Sequence, residues 1–103
     1  MLKIKRKKIS KECWNLDYEL VKWLNEHLKV YKEEASKIVD LEFYKFPYKK
    51  EEYTQLQILN RLIEITDYLL DEDYFANRNV ELINKNKDEM YDLLKIVHWQ
   101  LWW

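Results

Sequence analysis

The chain contains no glycine in 103 residues, and that absence excludes more than any residue present. Glycine supplies backbone conformations with positive φ and lets the main chain approach a phosphate closely. Without it there is no Walker loop, no Gly-x-Gly-x-x-Gly dinucleotide fingerprint and no Gly-x-Ser-x-Gly nucleophile elbow. Tight primed hairpin turns are hard to build as well, so an extensive antiparallel sheet is not expected. Cysteine is reduced to Cys13, which rules out an internal disulfide and makes a reducing, cytoplasmic setting the expectation. No apolar run approaches the roughly 20 residues of a membrane span, so no membrane is expected as a partner. The basic start carries no apolar stretch after it and does not read as a secretory signal.

What is there suffices for a core. Hydrophobic residues make up 48% of the chain and aromatics 16%, too much apolar surface for a disordered polymer. The length fits one domain. Charge divides it unevenly. Lys3, Lys5, Arg6, Lys7, Lys8 and Lys11 supply six of the eighteen basic residues, and the remaining twelve face nineteen acids, a net of −7 from Glu12 onward. The reading is a basic N-terminal arm over 1–11 on an acidic helical domain over 12–103. Leu2, Ile4 and Ile9 interrupt the arm, which suggests a short edge strand or a segment packed across the domain.

Periodicity predicts mostly helix. Asn15 resembles an N-cap, with Asp17 and Glu19 suited to the first turn. Leu16, Leu20, Trp23, Leu24, His27 and Tyr31 then share one face, predicting a helix over about 16–33 that extends toward Ala35, Ile38 and Val39. The aromatic stretch from Asp40 to Tyr53, with Pro47 and the charged Lys49-Lys50-Glu51-Glu52, reads as extended or irregular, with a short hairpin as one form of it. Thr54 and Gln57 make a capping-box pattern ahead of Leu59, Leu62, Ile63, Thr66, Leu69 and Leu70. Ile58 and Ile65 widen that face to half the circumference, so this helix is expected at the centre, ending near Asp71-Glu72-Asp73. A loop through Phe75–Asn79 leads to a last helix from about Val80, with Met90, Leu93, Leu94, Val97 and Leu101 as its core stripe. The fold class is therefore mainly α, a three- to four-helix bundle with a short aromatic-rich extended or hairpin insertion.

Little in the sequence carries catalytic chemistry. His27, His98 and Cys13 are the only soft metal ligands, and no two stand at i, i+4 on one helix. His27 and His98 read better as buried or half-buried histidines. Asp71, Glu72 and Asp73 read better as a solvated loop than as a cation site. Ser10, Ser36, Thr54 and Thr66 have no base at a suggestive spacing. No enzyme, cofactor or metal is expected. The arm's six cations could hold a phosphate backbone, but the acidic body would repel the same polymer, so nucleic acid is disfavoured.

The aromatics say more. Five tryptophans and eight tyrosines exceed the needs of a small helical core. Trp23 and Tyr31 are expected to fill that core. Ile96, Trp99 and Trp103 fall opposite the core stripe of the last helix. Either the Leu41–Tyr48 segment or the arm covers them, or they form a partner site, for which tryptophan is well suited.

One sequence pattern resembles a known group. Trp14-Asn15-Leu16-Asp17-Tyr18, followed by Trp23-Leu24 and Leu28-x-x-Tyr31, resembles the opening of small bacteriophage proteins of unassigned function. An aliphatic repeat like Ile58-Leu59 to Ile65 and a closing Leu-Trp pair, here Leu101-Trp102, extend the likeness. The extra Trp103, the missing glycine and the aromatic insertion depart from it. The resemblance implies a phage or prophage setting inside a bacterial cell and transfers no catalytic residue.

The function expected from all this is non-enzymatic: binding and modulating a host protein, with defence systems such as CRISPR effectors as natural targets for an acidic inhibitor. Ile96, Trp99, Trp102 and Trp103 would be its anchors and Asp71, Glu72 and Asp73 its rim. Two alternatives stand beside it. One is an aromatic-lined nucleotide pocket in which Arg61, Arg78 or arm lysines pair with phosphates. The other is a homo-oligomer joined through the tryptophan stripe.

Overall fold

Helix-breaking residues are so few that the backbone changes direction only at a handful of points. The computed structural model describes residues 2–71 and 79–102. In chain order these form α1 (Leu2–Cys13), α2 (Leu16–Ala35), strands β1 (Lys45–Tyr48) and β2 (Glu51–Thr54), α3 (Gln55–Leu70), α4 (Val80–Val97) and a 3-10 turn over His98–Gln100. The fold is mainly helical with one two-stranded antiparallel sheet. The expected Phe75–Asn79 loop falls outside the described residues except for Asn79, whose side chain caps α4 by accepting from the Leu82 amide at 3.1 Å.

The central helix begins where its capping box predicts. Thr54 Oγ1 accepts from the Gln57 amide at 3.1 Å and Gln57 Oε1 accepts from the Thr54 amide at 2.8 Å, satisfying two of the helix's free donors. Two more donors, the amides of Gln55 and Leu56, reach the carbonyls of Tyr44 and Leu41. The loop ahead of the hairpin is thereby fixed to the start of α3. Ile58, Leu59, Leu62, Ile65, Thr66 and Leu69 are all buried. Helix α3 packs against both α2 and α4. From α4 come Met90, Leu93 and Val97, buried as the periodicity predicts, with Leu94 and Leu101 half-buried beside them.

The aromatic insertion is a hairpin. Lys45 pairs with Thr54, Phe46 with Tyr53, Pro47 with Glu52 and Tyr48 with Glu51. Pro47 is tolerated because both strands are edges. With no glycine for the turn, Lys49 takes φ 55, a left-handed conformation costing about 1 kcal/mol for a residue with a Cβ. Phe46, Tyr48 and Tyr53 offset that strain by packing on the core.

Three expectations need correction. The arm is neither strand nor strap but helix α1, since lysine, arginine, leucine and glutamate all favour helix and nothing in it breaks one. The change of direction falls at Trp14 and Asn15, just past the charge boundary, and Asn15 begins α2 without a side-chain cap bond.

The second correction is the larger. Leu16, Leu20, Trp23 and His27 do not line the core; all four are exposed. The inward residues of α2 are Val21, Leu24, Asn25, Leu28, Tyr31 and Ala35, a face rotated by roughly 90° from the expected one at 100° per residue. Leu24 and Tyr31 belong to both. Helix α2 is apolar on two sides, and a polar group selects between them. Buried Asn25 Nδ2 donates to Thr66 Oγ1 at 2.8 Å and to Asp67 Oδ1 at 2.9 Å, while Lys29 Nζ meets the same Asp67 oxygen at 2.9 Å. Burial alone would raise the Asp67 pKa, but the hydrogen bonds from Lys29 and Asn25 outweigh it and hold it below the usual range.

The third correction concerns His98, which is exposed beside Trp99 rather than half-buried at the core stripe.

Candidate functional site

The segment after α4 is held down by side chains from two other helices. Gln55, the first residue of α3, is buried, and its Nε2 donates to the Gln100 carbonyl at 3.0 Å. The Tyr31 hydroxyl of α2 lies 3.1 Å from the Gln100 carbonyl and 3.0 Å from that of Trp102. Burial pushes the Tyr31 phenol above its usual range, so at any physiological pH it keeps the proton these contacts need. Leu101 turns inward against the core. With Leu101 seated and the two carbonyls occupied, the 3-10 turn has little freedom.

That turn and the residues just after it display two indoles. Trp99 is 84% exposed and Trp102 67% exposed, and His98 tilts against Trp99 with ring centroids 4.9 Å apart. Backbone contacts that would ordinarily be left to solvent are satisfied internally, so the aromatic surface is presented in advance of any partner. Of the expected anchors, Trp99 and Trp102 stand on this platform. Ile96 is half-buried and packs against the core edge below them. Trp103 lies outside the described residues, as do Glu72, Asp73 and Arg78. Asp71 is exposed at the far end of α3 from Gln55, about 24 Å of helix away. The fold therefore does not bring Asp71 to the tryptophans.

The residues that fix the platform were not legible as such. Tyr31 was readable as half-core, but its hydroxyl's target lies 69 residues away along the chain. Gln55 had one available signal, a polar side chain immediately after an N-cap on a face otherwise apolar.

All four described tryptophans are on the surface, including Trp14 at 93% and Trp23 at 57% exposure, whereas the buried hydrophobic core is aliphatic. An indole carries about 150–250 Å² of surface. At about 25 cal/mol/Å², leaving one uncovered forgoes roughly 4 kcal/mol.

A second concavity lies between the hairpin and the helices. It has a volume of about 400 Å³, and its walls include Tyr48, Tyr53, Gln57, Arg61 and Glu89. Arg61 is already engaged there. Its Nε and Nη2 face both oxygens of Glu89 and its Nη1 meets Glu64 at 2.8 Å. The hydrogen bond from Arg61 holds the Glu89 carboxyl below its usual range, and Glu89 in turn raises Arg61. Tyr48 Oη donates to Asp92 at 3.4 Å. Lys49 also lines this cleft, and a phosphate entering it would meet that cation but would have to displace Glu89 from Arg61.

Among the described residues no group of three or more His, Cys, Asp or Glu side chains is gathered as a metal site, and no helix is long and apolar enough to cross a membrane. No known family model, curated protein or solved structure matches the chain.

Proposed function

We propose that this chain is a non-enzymatic interaction protein whose indole platform, Trp99 on the pinned 3-10 turn and Trp102 just after it, anchors a partner protein. The observation that carries the reading is the combination of high exposure with internal fixation of the backbone beneath. Exposed tryptophan costs solubility, and rigid exposed tryptophan is the usual centre of an interface hot spot. We read α2, α3 and α4 as a bundle whose function is to hold that platform. The phage or prophage setting implied by the Trp14–Tyr18 opening makes the partner a host protein, and the acidic body suits a basic one.

The test is retention of a host protein on the immobilised chain, with Trp99→Ala/Trp102→Ala as the control. The double variant is expected to keep its helical circular dichroism and melt within a few degrees of the parent, since exposed side chains contribute about 0.5 kcal/mol or less each, while losing the partner. Unfolding of the variant would make the indoles structural and end the proposal.

The cleft favours a second reading, a small-ligand site. Its two tyrosines suit a planar molecule, beside Lys49 and an Arg61 already paired with Glu89. A saturable rise in melting temperature with nucleotides would restore the phosphate version.

A further inference from the structure

Two parts of this molecule lack apolar cover, and they complement each other. The first is α1. Every residue from Arg6 to Cys13 is exposed, and the helix meets the rest of the fold through α2. A 12-residue helix whose side chains from Arg6 onward are all exposed is marginal alone in water. The radius of gyration, 15.7 Å, exceeds the roughly 13 Å of a compact domain this size, as a projecting helix requires.

The second is the outer stripe of α2 displaced from the core. Leu16, Leu20, Trp23 and Val30 are all more than half exposed. Trp23 is held in place by His27, whose ring stacks on it at 3.9 Å and whose Nδ1 lies 2.7 Å from the Trp23 carbonyl. A groove of about 360 Å³ runs along this stripe. Its walls combine Leu16, Leu20 and Trp23 with the carboxylates of Glu12, Glu19 and Glu26, against Lys22 alone.

An apolar floor with an acidic rim fits a short basic helix, and the chain carries one with six cations in its first eleven residues. We infer that α1 of one copy docks into the Trp23 groove of a second copy, and the reverse, in a two-fold dimer. A second copy suits the geometry better than the chain's own α1. Here Arg6 to Cys13 are all exposed, so the chain's own α1 leaves the groove unfilled, while Glu12 near its end already forms part of that groove's wall. A two-fold axis near this corner carries each basic helix over the other copy's acidic rim. The contact is then made twice, which doubles the area it buries. Trp23 lies about 12 Å along α2 from Tyr31, and no residue lining the groove takes part in the Tyr31 and Gln55 contacts beneath Trp99 and Trp102, so the failure of this contact and the failure of the indole platform are separate results.

The experiment is sedimentation of the full chain over a concentration series, with two charge-reversed variants. One carries Lys7→Glu, Lys8→Glu and Lys11→Glu on α1; the other carries Glu19→Lys and Glu26→Lys on the rim. All five positions are exposed or at the rim, so helical content serves as the folding control. The parent is expected to dimerise, and each variant alone to dimerise at least about tenfold more weakly, because like charges then face each other. An equimolar mixture of the two variants is expected to recover dimer, since each reversed α1 meets a reversed rim. A parent that stays monomeric at every concentration, including one whose α1 closes on its own groove, overturns the inference. So does a dimer indifferent to the reversals, or variants that fail to rescue each other.

Discussion

Which side of α2 faces inward can be decided by comparing two substitutions two residues apart. Asn25→Ala removes a buried amide that donates to Thr66 at 2.8 Å and to Asp67 at 2.9 Å. The bond to the hydroxyl is a neutral one, worth about 1 kcal/mol. The bond to the carboxylate would count for more, but Asp67 is half exposed and solvent screening reduces it to about 1 kcal/mol. The vacated volume adds about 1 kcal/mol in a site that α3 cannot collapse into. The sum, about 3 kcal/mol, corresponds to a fall of roughly 12–24 °C in melting temperature for a domain of this size. Trp23→Ala removes a far larger side chain from the outer stripe and is expected to cost at most about 1 kcal/mol. Had Leu16, Leu20, Trp23 and His27 formed the core face, the order would invert, with the tryptophan at about 3–5 kcal/mol and the asparagine near zero. Urea denaturation of both variants, followed by far-ultraviolet circular dichroism at a concentration where the chain is monomeric, measures the two values. A Trp23→Ala variant less stable than Asn25→Ala refutes the assigned orientation and, with it, the exposed groove.

Thr54→Ala removes one half of the reciprocal cap at the start of α3 and should cost about 1 kcal/mol in the same assay, within the range of N-cap deletions; Thr54→Ser should recover most of it. The Arg61 and Glu89 pair makes stability pH-dependent with a definite sign. The folded Glu89 pKa is depressed first by the Arg61 hydrogen bond, so the pair's contribution is present above the ordinary glutamate range and lost as the pH falls through the folded value. Glu89→Gln should therefore lower stability by about 1 kcal/mol at neutral pH, a charged hydrogen bond discounted for partial exposure. The difference should shrink as the pH is lowered from about 7 toward about 3. A constant difference across that range would mean that Glu89 ionisation plays no part.

Wherever one apolar stripe dominates a segment, the fold was readable from the residues in it. Helix α3 has a wide stripe and a capping box, and both its start and its buried residues follow from them. Helix α4 shows a clean Met90, Leu93, Val97 periodicity, and aromatic enrichment around Pro47 marked the insertion as extended or irregular, leaving open the hairpin that the pairing of Lys45–Tyr48 with Glu51–Thr54 forms. In α2 the same method fails for a physical reason. Its two apolar faces are about equally strong as patterns, and periodicity cannot weigh a buried amide against an indole. Asn25 decides the matter through Thr66, 41 residues away, and a pairing at that distance has no local signature. The site was legible to the same extent. Trp99 stood out by type and spacing and Trp102 by type alone, whereas the Tyr31 and Gln55 hydrogen bonds beneath them depend on the fold being known.

The division of labour between residue types explains how such a surface persists in so small a domain. The closest-packed positions, Ile58, Leu59, Leu62, Ile65 and Val97, are aliphatic, and the side chains that would add most to a hydrophobic core are the ones left outside it. A core that relied on its tryptophans would couple every change at the binding surface to stability. Here the two are separate. The aliphatic core and the Asn25–Thr66 contact hold the helices in register, the Tyr31 and Gln55 hydrogen bonds fix the 3-10 turn, and the indoles contribute little until something covers them. Substitutions at Trp14, Trp23, Trp99 or Trp102 are therefore expected to leave the aliphatic core intact.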